Sequence, residues 1–281
     1  MEIKHSIYNN LITFFLILIF TSTIGYTLTL QHHMGSTTLM WSVGFAAIFT
    51  CLLRKMPLQN IGWKFGDWKF TWLSLFIPFV YSSIAYGLIW VSGLGEFNNE
   101  TFTKKLANDF NLANLEPLTI LIFYFFYLLT VGMANSIIAA LGEEIGWRGF
   151  LAPQLSKVMS FGGVCIISGI IWSMWHWPLI FMKVYGSQNI NIYYQLACFT
   201  LFLTSMSVIM TYIRFKTNNI WNAAIFHASH NIWIQKFFTP MTVSNGNSDW
   251  YIDEFGAVPS LTAFVVALYF YKKGKKEFRN G

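Results

Sequence analysis

Charge is what this sequence has least of. Only 11% of its 281 residues are charged, while 55% are hydrophobic and 19% aromatic, far from the balance of an average soluble domain. An ordinary soluble enzyme is therefore excluded, and a polytopic helical membrane protein is indicated. Cysteine is scarce too: Cys51, Cys165 and Cys198 sit in or at the end of apolar segments without C-x-x-C spacing, so no disulfide or metal framework is expected. No H-E-x-x-H occurs, which excludes a zincin-like helix. Ser168-Gly169 lacks the preceding glycine of G-x-S-G, and Gly66-Asp67 does not complete G-x-G-D, so serine and aspartate routes to intramembrane hydrolysis are unsupported. Internal repeats, low-complexity tracts and long linkers are missing, and one integral membrane domain over 1–281 is the economical reading. An A-x-A-like cleavage site is also missing after the first apolar run, which reads as a retained span rather than a removed signal.

What the chain does have is apolar runs of the length a bilayer core demands, at about 11–30, 37–53, 71–93, 118–141, 161–182, 193–213, 219–237 and 257–271. The net charge of +6 is distributed between these runs rather than clustered on one face, so it reads as membrane topology and not as nucleic-acid binding. Alternate connections carry Lys4; Arg54, Lys55, Lys64 and Lys69; Arg148 and Lys157; Arg214 and Lys216; and Lys272, Lys273, Lys275, Lys276 and Arg279, which is 14 of the 18 basic residues. The acids Glu96, Glu100, Asp109, Glu116, Asp249, Asp253 and Glu254 lie on the opposite connections. Under the positive-inside rule the expected fold is an all-α transmembrane bundle of about eight spans with both termini cytoplasmic; the expected location is a cell membrane, and the resemblance given below implies a bacterial one.

Strongly polar side chains inside the runs gather in three places. Glu143, Glu144 and Arg148 end the fourth run, His176 lies in the fifth, and His227, His230 and Asn231 lie in the seventh. Such residues in membrane helices face the bundle interior or a wet cavity. Glu144 and Arg148, four apart, share a face and can pair, whereas Glu143 is rotated by about 100° and is left available. His227 and Asn231 also share a face, with His230 pointing partly the same way or toward headgroups. A carboxylate and an imidazole on water is the arrangement hydrolysis needs: a poorly solvated glutamate as general base, an imidazole orienting the water, and an imidazole with an amide donating to the oxyanion. The alternative chemistry is zinc held by Glu143, His176 and His227.

These residues resemble the CPBP intramembrane proteases, which include CAAX prenyl endopeptidases and bacterial proteins of bacteriocin maturation or self-immunity. E-E-x-x-x-R is matched by Glu143, Glu144 and Arg148. F-x-x-x-H appears as Trp172 to His176, with Trp replacing Phe as an aromatic wall, and H-x-x-x-N is matched by His227 and Asn231. The resemblance covers a protease-like core at about 118–238. It implies that Glu143 activates water with His176, that His227 and Asn231 stabilise the oxyanion, and that Glu144 and Arg148 support them. The expectation is thus an intramembrane endopeptidase with a cavity open toward the cytoplasm. It would act within the lipid bilayer on a peptide or membrane protein: a prenylated chain, a bacteriocin precursor or a signal precursor. The competing expectation is a non-catalytic immunity or binding protein. Counted from the span ends, Glu143 lies shallow, and a fourth helix reaching Phe150 would carry it inward.

Overall fold

The computed structural model describes residues 2–32 and 34–278, with the side chains of residues 2 and 3 left aside. Arg279, counted among the inner charges, lies outside the described residues. The chain is almost wholly helical: α1 (Glu2–Leu30), α2 (Ser36–Leu53), α3 (Trp68–Val91) and α4 (Glu100–Asp109), then α5 (Pro117–Leu155), α6 (Phe161–Phe181), α7 (Ile192–Thr217), α8 (Ile220–Asn231) and α9 (Ala257–Glu277). Each expected apolar run falls on one of these helices, the seventh continuing past α8 into a π-helical stretch, Ile232–Phe238, and six of the helices (α1, α2, α3, α5, α6 and α7) are long and apolar enough to cross a membrane.

Helix starts follow short polar side chains that accept from the otherwise unpaired first amides. Asn99 accepts from Phe102, Ser160 from Gly163, Asn191 from Tyr193, and Asn219 from both Trp221 and Asn222. Pro117 opens α5, where its missing N–H costs nothing.

The fourth apolar run does not stop at 141. α5 is a continuous helix of 39 residues, because after Glu144 the chain passes into a π-helical stretch, Ile145–Leu151, whose side chains are all buried. The glutamates therefore sit inside the bundle rather than at its edge. Gly142 and Gly146 set α5 flush against α2. A Cβ at Gly142 would lie 2.8 Å from the Trp41 Cα, and one at Gly146 would lie 2.8 Å from the Val43 carbonyl oxygen. Small residues four apart that admit a neighbouring backbone are a common helix-packing device in membranes. With that face committed to α2, Glu143 and Glu144 turn toward α6 and α8.

The two connections that carry most of the acids, 95–117 and 238–256, hold regular structure. Glu96–Phe97 pairs antiparallel with Thr242–Val243, and α4 buries Thr103, Leu106 and Ala107. At the other end Arg214, expected only as a topological charge, is buried. Its guanidinium donates to the carbonyls of Arg148 (3.0 Å), Asn60 (3.1 Å) and Ile61 (3.1 Å), tying α7 to the end of α5.

Candidate active site

The three motifs meet at one end of a cavity of about 390 Å³. Glu143 and Glu144 come from α5, Trp172 and His176 from α6, and His227 and Asn231 from α8. Glu143, His176, His227 and Asn231 all line this space. A larger cavity of about 700 Å³, among Asn60, Gln154, Lys157, Arg214 and Glu277, contains none of them.

Glu144 is fully buried and has two partners. Arg148 Nη1 approaches its carboxylate at 3.1 Å, and His227 Nδ1 stands 2.9 Å from Oε1. A carboxylate can only accept, so Nδ1 carries the proton and His227 Nε2 is left without that partner. The expected Glu144–Arg148 pair is present. It is extended by the histidine, and Arg148 also stacks its guanidinium 4.2 Å from the centre of the Trp172 ring. Burying such a group of charges is tolerable only with this degree of mutual pairing.

Glu143 is not simply available, as its rotation on the helix suggests. Its Oε2 accepts from two indoles, Trp147 Nε1 at 3.2 Å and Trp172 Nε1 at 2.5 Å. Its Oε1 faces His176 Nε2 across 4.0 Å. His176 Nδ1 lies 3.0 Å from the Trp172 carbonyl, which again fixes the tautomer and leaves Nε2 as an acceptor. Trp172 is therefore more than an aromatic wall in place of Phe: it brings an N–H that Phe lacks. The spacing held the signal, since Trp147 is four residues after Glu143 and Trp172 four before His176, but an indole reads as apolar until α5 and α6 are docked.

His230 does not turn toward headgroups. It is buried, with Nδ1 2.9 Å from the Tyr81 hydroxyl and Nε2 hydrogen-bonded to Glu254. Glu254 comes from the connection before α9 and also accepts from Tyr185 and from Gln235 Nε2 (2.9 Å). Burial alone would raise its pKa, but these three donors hold it below the ordinary range, at about 2. Nothing local singles out Glu254 in the sequence, since a loop acid carries no periodicity.

The zinc alternative would draw on Glu143, His176 and His227. Among the described residues no three His, Cys, Asp or Glu side chains stand close enough to hold a metal ion. Glu143 Oε2 is committed to indoles, and His227 Nδ1 turns to Glu144 instead. The cavity is also lined by Leu30, Ser36, Thr37 and Val184, which lie at the bundle end opposite the chain termini.

Residues 125–233 match the family model described as type II CAAX prenyl endopeptidase Rce1-like. CAAX prenyl protease 2 of Methanococcus maripaludis is 38% identical over 100 residues, which is 34% of this chain and 36% of that protein. The match thus spans about a third of the relative's length. The stretch 125–233 encloses all three motifs, and it is this stretch that is similar to the CAAX prenyl endopeptidases.

Proposed function

We propose that this protein is an intramembrane endopeptidase that cleaves a peptide bond by direct attack of water. The observation that carries the reading is the 4.0 Å gap between Glu143 Oε1 and His176 Nε2. Both atoms are acceptors, and a water seated between them donates one hydrogen to each. Glu143 takes the proton as the oxygen attacks, and later passes it to the leaving amine. The two indoles on Oε2 leave Oε1 as the oxygen that reacts. Asn231 makes no side-chain hydrogen bond among the described residues and donates its amide to the oxyanion. His227, backed by Glu144, adds a second donor when Nε2 is protonated. No acyl-enzyme forms.

The charge pattern supports eight spans with both termini cytoplasmic. The cavity residues Leu30, Ser36 and Thr37 then lie toward the outer face, which favours an exported peptide or a membrane-held precursor as the substrate. The relative's name suggests a prenylated peptide as one substrate class to include.

The test is cleavage of a quenched peptide library by purified protein, wild type beside Glu143→Gln, with and without a zinc chelator. We expect cleavage to fall by at least about a hundredfold in the variant, an unchanged melting temperature, and no effect of the chelator on wild type. Wild-type activity in Glu143→Gln would overturn the assignment. Loss of cleavage in the chelator lane would replace the metal-free reading with a metal-dependent one.

A further inference from the structure

The geometry points to Lys236 and Ser136 as a carboxylate-binding subsite of this cavity, reading a negative charge on the substrate about two residues from the bond that is cut. The inference deepens the proteolytic reading and rests on it.

Lys236 is an expensive residue where it stands. It follows directly on α8, in the π-helical stretch Ile232–Phe238, with Trp233, Phe237 and Phe238 as neighbours. Lysines at such positions normally pair or extend to the headgroups. Among the described residues Lys236 makes no ion pair, and its Nζ donates to Ser136 Oγ at 2.8 Å, a buried hydroxyl on α5. An ammonium carries three donors, so this bond leaves two for a ligand. Glu254, the nearest buried acid along the chain, is already taken by His230, Tyr185 and Gln235.

The backbone aims Lys236 on purpose. In an α-helix, residues 231 and 236 would point well away from one another. The i→i+5 pattern of a π-helix stacks them instead, and both line the cavity with Ser136 and Asn135. The Tyr124 hydroxyl donates to the Lys236 carbonyl at 3.0 Å, which anchors that turn. Five helical residues advance about 7 Å from Asn231 toward the mouth, and an extended peptide covers this in about two residues. A chain whose scissile carbonyl lies at Asn231 thus brings a carboxylate to Lys236 either as its own C-terminus or as an acidic side chain.

The test uses the full-length protein in lipid nanodiscs and three quenched peptide pools of one length. The first has a free C-terminal carboxylate and no acidic side chain, the second is its C-terminal amide, and the third is the amide with one glutamate placed in turn at each position. Wild type is expected to cleave one of the two carboxylate-bearing pools at least about tenfold more efficiently than the uncharged amide, as a charge-assisted hydrogen bond implies. Which pool wins names the source, terminus or side chain. Lys236→Gln should bring that ratio to about one, chiefly through KM, and Lys236→Arg should restore it. Equal cleavage of all pools by wild type, or an undiminished preference in Lys236→Gln, would overturn the subsite. Anisotropy of the same pools, dye-labelled, on the Glu143→Gln protein separates the two readings. Carboxylate-dependent binding abolished by Lys236→Gln supports the subsite even if nothing is cleaved, and binding indifferent to the carboxylate overturns it even if proteolysis stands.

Discussion

At the scale of single residues, Trp172 concentrates the most roles. Its indole donates to Glu143, its ring carries the Arg148 guanidinium, and its centre lies 5.2 Å from that of His227. Trp172→Phe restores the residue type of the family motif and keeps the aromatic surface, so the fold should survive. One hydrogen bond to a charged carboxylate is lost, worth about 1.5–3 kcal/mol. We therefore expect kcat to fall at least about tenfold with little change in KM, measured by steady-state kinetics. An unaltered kcat would reduce the indole to a wall. The candidate residues themselves were legible: Glu143, His176, His227 and Asn231 stand out because polar groups are rare in these runs, and all four line one cavity. What the sequence could not show was which oxygen of Glu143 is occupied and where His230 turns. Both depend on partners far away in the chain, Trp172 in one case and Glu254 in the other.

At the scale of elements, the glycines that flank the two glutamates decide where the site lies. Gly146→Leu places a branched side chain against the Val43 backbone, and overpacking of this kind costs about 1–3 kcal/mol. A lower melting temperature in detergent, with cleavage reduced alongside it, is the expected result. A variant as stable and as active as wild type would show that α2 and α5 need not touch here. Helices were easy to read from the sequence, because long apolar runs leave the backbone no other way to satisfy its polar groups in lipid. Their ends were harder. The extension of α5 past 141 and the π-helical stretches after Glu144 and Asn231 come from tertiary packing, and no local pattern announces them. The short ribbon joining Glu96–Phe97 to Thr242–Val243 was invisible for the same reason.

At the scale of the whole molecule, the connection before α9 contributes the buried Glu254 to the cavity lining, with Asp253 beside it in the chain. Glu254 is held at about 2. Burial, then the adjacent Glu254 charge, pushes Asp253 up to about 7. The Glu254 contribution to stability is present above its ordinary 4.5 and is lost as pH falls toward about 2. The Asp253 contribution has the opposite sign: it is full below 3.8 and is lost as pH rises through about 7. Protection of residues 242–256 from limited proteolysis should thus peak in mildly acidic solution, decline toward neutrality, and level off above about 7. Asp253→Asn should remove that decline, and a flat profile in wild type would refute the account. The 39-residue α5 has a consequence of its own. At about 1.5 Å per residue it measures about 58 Å, roughly twice the hydrocarbon thickness of a bilayer. It can lie in lipid only by leaning steeply, by bending at its π turns, or by thinning the membrane around it. The acyl-chain length of the surrounding lipid therefore sets how deep Glu143 sits.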